Sequence, residues 1–219
     1  MYKKRLVGNK AFITDLDGPM GSCQRVADEL SVGEIYERFR NDPSALQYEL
    51  NGLTDEFFSL AKRISEGFEL RPDVGITLKA LKLKGYDNFV CTDNPIFGVN
   101  SNGETLKKKL MENVQDPDLS EEISYLDELH VTTIPKIVGG RLYFDDNGSK
   151  KSYVRKKFEE YGSGILVVDD KNDIDAAKEA YMMKENYDIK ILKFGKNCKE
   201  LEKYCDKTIM NFSEILNYI

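Results

Sequence analysis

One stretch, Ala11-Phe12-Ile13-Thr14-Asp15-Leu16-Asp17-Gly18-Pro19-Met20, runs an apolar segment straight into two acids one residue apart and then a turn. Alternate residues of an extended chain share a face, so Asp15 and Asp17 leave the strand end on the same side. Two carboxylates that close repel, so a cation must sit beside them or one must carry a proton. A strand ending in a plain Asp-Gly turn would read the same way, and the residues downstream decide between the two.

Downstream, β and α patterns alternate. From Arg25 to Arg40, Val26, Leu30, Ile35, Tyr36 and Phe39 mark an imperfect helical stripe; Ser44–Leu50 and Thr54–Phe68 read as further helices, the last capped by Thr54. No strand pattern interrupts this all-helical insertion of about fifty residues, which is too long for a simple crossover. Pro72 is expected to open the next helix and Gly85 to stop it. Phe89–Thr92 then reads as a strand, Glu104–Val114 and Leu119–Leu129 as helices, and Val131–Phe144 as a strand feeding a hairpin through Gly139-Gly140. Ser152–Tyr161 is helical in pattern. Gly164–Asp169 is a second apolar run ending in an acid, Asn172–Lys184 a helix, Ile189–Leu192 and Thr208–Met210 strands, and Ser213–Ile219 a closing helix. Continuous apolar strands alternating with helices predict an α/β fold, with a mostly parallel sheet covered on both faces.

Composition narrows the function classes. The hydrophobic fraction of 41% and the charged fraction of 32% fit a soluble globular protein. A net charge of -6, with the tight basic runs Lys107–Lys109 and Arg155–Lys157 both inside helical patterns, argues against a nucleic-acid partner. Cys23, Cys91, Cys198 and Cys205 show no metal-ligand spacing, so zinc is not expected. The basic start is followed by a stretch too short and polar for a signal peptide, and no run could span a bilayer. A cytoplasmic protein with reduced thiols and no membrane partner is expected; oligomeric state is not legible.

Parallel strands present their carboxyl ends to one side, where ligands of such sheets bind. That rim collects Asp15, Asp17, Thr92 and Asp169, with Asp173 four residues on and Lys150 or Lys151 at the start of the preceding helix. Hard oxygen ligands in that number suit Mg²⁺, which takes one or two carboxylates plus a substrate phosphate.

Asp15-Leu16-Asp17-Gly18, Val90-Cys91-Thr92, Lys151 and Val168-Asp169-Asp170-Lys171-Asn172-Asp173 resemble, in order and spacing, the four motifs of the haloacid dehalogenase superfamily, and within it the phosphoserine phosphatase-like subgroup. The likeness covers most of the chain except residues 95–130. It implies a Rossmann-like core over residues 1–20 and 71–219, a small all-helical cap over 21–70, and a β-hairpin before the lysine motif. The activity it implies is Mg²⁺-dependent hydrolysis of a small-molecule phosphate ester through an aspartyl phosphate.

In that scheme Asp15 is the nucleophile and Asp17 the general acid and base. Asp15, Asp169 and the Asp17 backbone carbonyl hold the metal, Asp173 orients it from behind, and Thr92 and the lysine hold phosphoryl oxygens. Helix register is taken to favour Lys151 over Lys150, with Val154 and Phe158 on the apolar face. Val168 stands where the family has Gly, which leaves less room for close backbone approach. Gln24 stands where the subgroup has a carboxylate for the serine ammonium, and Leu46 where it has an arginine, so free phosphoserine is not the expected substrate. Gln24 and Arg25 are the specificity candidates in the cap. Other readings are a catalytically silent relative binding a partner through its acidic rim, and a receiver-like phosphoacceptor domain, which lacks the helical insertion and the late acidic strand end. His130 and Cys91 are read as structural.

Overall fold

The computed structural model describes residues 9–30, 54–99, 102–114 and 125–219. Its centre is β1 (Lys10–Thr14), of which residues 11–14 are buried. Around it, β4 (Tyr86–Thr92), β5 (Glu128–Val131), β8 (Ser163–Val168), β9 (Asp188–Phe194) and β10 (Lys207–Ile209) complete a six-stranded sheet in the order β10-β9-β8-β1-β4-β5. Every neighbouring pair is parallel. The α/β class and the parallel sheet are therefore as expected, and β1, flanked by β4 and β8, is the strand where the winding changes side.

Side-chain alternation splits the core between the two faces. Ala11, Ile13, Phe89, Cys91, Leu166, Val168 and Ile191 pack against α5 (Lys150–Tyr161) and α6 (Ile174–Met183) through Val154, Phe158, Ala176, Ala177 and Ala180. Phe12, Val90, Ile165, Val167 and Leu192 face α3 (Val74–Leu83), α4 (Asn102–Val114) and the closing turn Phe212–Tyr218. Asp15 continues the phase of Ala11 and Ile13, toward the layer that carries α5. That phase decides which helix its carboxylate meets.

Element bounds depart from expectation in informative places. Asp73 caps α3, so Pro72 lies before the helix rather than in its first turn. Leu129 is in a strand, not a helix: Asp127 accepts the Asn88 N–H at 2.6 Å and the Asn88 amide donates to the Tyr125 carbonyl at 2.8 Å, which binds this segment alongside β4. The expected hairpin is present as β6 (Thr133–Val138) and β7 (Arg141–Asp146). Helix α5 begins at Lys150, with the Ser149 side chain accepting the Ser152 N–H. Within 21–70 the structure describes α1 (Gln24–Glu29), α2 (Thr54–Glu66), β2 (Gly21–Ser22) and β3 (Glu69–Leu70). The β2–β3 antiparallel pair closes the root of a segment expected to be all helical. The helix expected over Ser44–Leu50, most of that over Arg25–Arg40, and Leu46 lie outside the described residues. Among the described residues no helix is long and apolar enough to cross a membrane.

The β1–β8 seam depends on Gly164. A Cβ there would fall 2.0 Å from the Ala11 carbonyl oxygen and 3.0 Å from the Phe158 ring. Backbone cannot yield cheaply to such a contact. Gly164→Ala is expected to destabilise the protein by about 1–3 kcal/mol through overpacking. Chemical denaturation checks this; an unchanged midpoint would contradict the tight seam.

Candidate active site

The carboxyl ends of β1, β4 and β8, with the first turn of α5, place their polar residues around one small pocket lined by Asp15, Asp17, Thr92, Asp93, Asn94, Lys150, Asp170 and Asn172. Beneath it, Asp15, Asp169 and Asp173 bring carboxylate oxygens within 4.8 Å of one another. Two ionised carboxylates at that separation repel by about 3 kcal/mol at an effective dielectric near 20. The cluster therefore needs positive charge.

Lys150 supplies part of it. Its ammonium is 8% exposed and donates to Asp15 Oδ2 and Asp173 Oδ1, both at 2.8 Å, with Asp93 Oδ2 at 3.4 Å. Burial alone would lower the Lys150 pKa, but Asp15, Asp173 and Asp93 outweigh it and hold the pKa well above its usual value. Lys151, the lysine expected here, lies elsewhere: it is 50% exposed, with Nζ 3.6 Å from Glu179. The correction follows from the helix start. Capping at Ser149 makes Lys150 the first helical residue, four before Val154 and eight before Phe158, hence on their buried face, while Lys151 is rotated out.

Asp15 Oδ1 accepts the Leu16 N–H at 2.7 Å. Burial raises the Asp15 pKa well above the normal carboxylate range, and Asp173 and Asp17 add to this against the attraction of Lys150. Asp173 spends both oxygens on the protein, Oδ1 on Lys150 and Oδ2 on the Asp169 N–H at 3.0 Å, so it braces the strand ends. Asp169 differs. Its Oδ1 is buried with no hydrogen-bond partner, and burial together with Asp15 and Asp173 pushes its pKa up to about 9. An orphaned buried carboxylate oxygen beside two more acids fits a divalent cation held by oxygen ligands.

Gly18 opens the space that Asp169 occupies. Its φ is +96°, and a Cβ on it would fall 2.0 Å from Asp169 Oδ2. The close approach expected of a Gly before Asp169 is thus provided by Gly18, while Val168 points into the core between the sheet and the helices. Thr92, 1% exposed, accepts the Asn94 N–H on Oγ1 at 3.1 Å, which leaves its O–H to donate into the pocket. Asp17 Oδ2 accepts from Asn94 Nδ2 at 2.8 Å, and the Asp17 carboxylate stands apart from the three clustered acids.

Of the sequence-expected residues, the structure brings Asp15, Asp17, Thr92, Asp169 and Asp173 to this rim. Gln24 and Arg25 are not among the pocket-lining residues. Gln24 donates to Asp28 at 2.8 Å, and Arg25 is an exposed partner of Glu69 and Glu29. Asp93, Asn94 and Asn172 also line the pocket without belonging to the expected set; the signal for the first two is Asp93-Asn94-Pro95 directly after Thr92 at a strand end, where an Asn before Pro favours a turn. His130 stacks on Tyr153 at 4.3 Å, away from the pocket lining.

No family model and no curated protein matches the sequence. Among solved structures, an aspartyl-phosphate intermediate analogue of phosphoserine phosphatase aligns over 99% of this chain and 100% of its own, with a TM-score of 0.62 and 20% identity. This chain has the fold of that phosphatase. An apo phosphoserine phosphatase aligns over 96% of this chain and 99% of its own (TM-score 0.61, 18% identity). A putative beta-phosphoglucomutase from Thermotoga maritima aligns over 95% and 97% (0.52, 19%). The Rossmann-like α/β core expected from the motifs is therefore the fold of the chain.

The acidic cluster carries a pH prediction. Asp169 keeps its proton up to about pH 9 in the folded, metal-free chain but releases it near 3.8 when unfolded. Stability from this group is therefore complete below about pH 4 and is lost as pH rises toward 9. In EDTA the melting temperature is expected to fall from pH 5 to 9 more steeply in wild type than in Asp169→Asn. Millimolar Mg²⁺ should raise it more at pH 8 than at pH 5. Parallel curves for the two proteins would contradict the assignment.

Proposed function

We propose that the chain is a Mg²⁺-dependent phosphomonoester hydrolase that acts on a small phosphorylated metabolite in the cytoplasm through an aspartyl-phosphate intermediate. One observation carries the reading: two carboxylates, a hydroxyl and an ammonium, from three different elements (the ends of β1 and β4 and the start of α5), line one pocket. Phosphate monoesters resist unaided hydrolysis, so a catalyst must neutralise the anion and hold an in-line nucleophile.

Thr92 O–H and the Lys150 ammonium donate to phosphoryl oxygens and orient phosphorus toward Asp15. A carboxylate oxygen of Asp15 forms the new P–O bond as the ester P–O bond breaks. The departing electron pair stays on the ester oxygen, which takes the proton of Asp17. Asp17, now ionised, removes a proton from water; the hydroxide oxygen bonds phosphorus and the Asp15–phosphorus bond breaks, releasing phosphate and restoring both acids. Asp15, Asp169 and the Asp17 carbonyl would hold Mg²⁺, with Asp173 bracing them, and the bound ion would lower the repulsion between carboxylate and phosphate. Lys150 rather than Lys151 fills the lysine role. Residues 21–70 form the cap that selects the leaving group over a core of residues 1–20 and 71–219.

A panel of phosphate esters including p-nitrophenyl phosphate, assayed with Mg²⁺ and with EDTA, tests this. Metal-dependent phosphate release is expected from wild type, and none above background from Asp15→Asn. Turnover in neither condition would overturn the hydrolase reading, and an active Asp15→Asn would overturn the nucleophile.

A further inference from the structure

Immediately after Thr92 the chain turns through Asp93-Asn94-Pro95 into the 3-10 segment Pro95–Gly98. Asn94 is 1% exposed and caps that segment: its Oδ1 accepts the Ile96 N–H at 3.3 Å, while its own N–H donates to Thr92 Oγ1 at 3.1 Å. The cap needs an acceptor, which fixes the orientation of the amide. Nδ2 is then directed the other way, where it lies 2.8 Å from Asp17 Oδ2, on a residue 5% exposed. One buried side chain thus ties the β4 terminus to the second acid of the β1 terminus.

Building on the hydrolase reading, we propose that Asn94 is a positioning residue that sets which oxygen of Asp17 delivers the proton to the leaving group. An amide N–H can only donate and is met best by the carbonyl oxygen of the neutral acid, so the bond favours Oδ2 as that oxygen and places the proton on Oδ1. The hydrogen bond also fixes the carboxyl plane, so that Oδ1–H is held at one angle to the ester oxygen when the P–O bond breaks. Because Asn94 N–H binds Thr92 Oγ1, the residue also holds the hydroxyl that donates to the phosphoryl group. The phosphate site and the proton donor are set by one joint.

The test separates proton delivery from general damage. p-Nitrophenolate leaves with little help, whereas phenolate needs a proton in the transition state, and the two esters are otherwise close in shape. Asn94→Ser retains an acceptor for the Ile96 N–H but does not reach Asp17; Asn94→Ala removes both contacts. With melting transitions confirming folded protein, kcat/KM for phenyl phosphate is expected to fall roughly 10- to 100-fold in Asn94→Ser, and that for p-nitrophenyl phosphate about threefold or less. Asn94→Ala should show the same ratio. Equal losses on both esters, or none, would overturn the positioning role while leaving the hydrolase reading intact. A wild type that hydrolyses neither ester would remove that reading, and this one with it.

Discussion

A single buried ammonium, Lys150, holds the acidic rim together. It arrives from the first turn of α5 and meets Asp15 after β1 and Asp173 after β8. Taking an ion out of water costs several kcal/mol, and such a cost is offset only where opposite charges are close and hydrogen bonded. Two contacts of 2.8 Å meet that condition. Among the described residues the carboxylates of the rim still outnumber the cation, and Asp169 Oδ1 is buried there without a hydrogen-bond partner. A fold that buries this many acids at one point has a deficit that an added divalent cation would fill.

The sheet is built to sustain that concentration. Because β1 has parallel partners on both sides, its carboxyl end opens beside those of β4 and β8. Gly164 brings β1 and β8 backbone into contact, and Gly18 lets the loop after β1 fold back over Asp169. These two glycines act on different links of the chain, one on strand spacing and one on the pocket, yet both set the distance between the first and last acidic segments. Hydrophobic packing of Val154 and Phe158 fixes the rotation of α5 and with it the direction of Lys150.

Most of this rim was legible in the sequence because parallel strands leave little choice about where their carboxyl ends go. Asp15, Asp17, Thr92, Asp169 and Asp173 could be gathered from strand assignments alone. The lysine could not, because helix phase turns by about 100° per residue and depends on where the helix begins. Both lysines fall at the helix start in the sequence, and only the cap at Ser149 shows that Lys150 is the one in phase with Val154. Val168 was misleading for the opposite reason: the strand was assigned correctly, but only the packed layers show that this side chain faces helices and not the pocket. Local periodicity favours a helix at Leu129 because it does not register the Asp127 and Asn88 contacts that bind the segment alongside β4.

Replacing each adjacent lysine with methionine tests most directly whether Lys150 organises the site. Methionine keeps the length and much of the apolar stem but removes the charge. In Lys150→Met, metal-dependent turnover of p-nitrophenyl phosphate is expected to fall at least about 100-fold, as a transition-state anion loses a donor. In Lys151→Met, a change in an exposed residue, turnover and melting temperature are expected to stay close to those of wild type. An active Lys150→Met beside an inactive Lys151→Met would contradict the account at its centre.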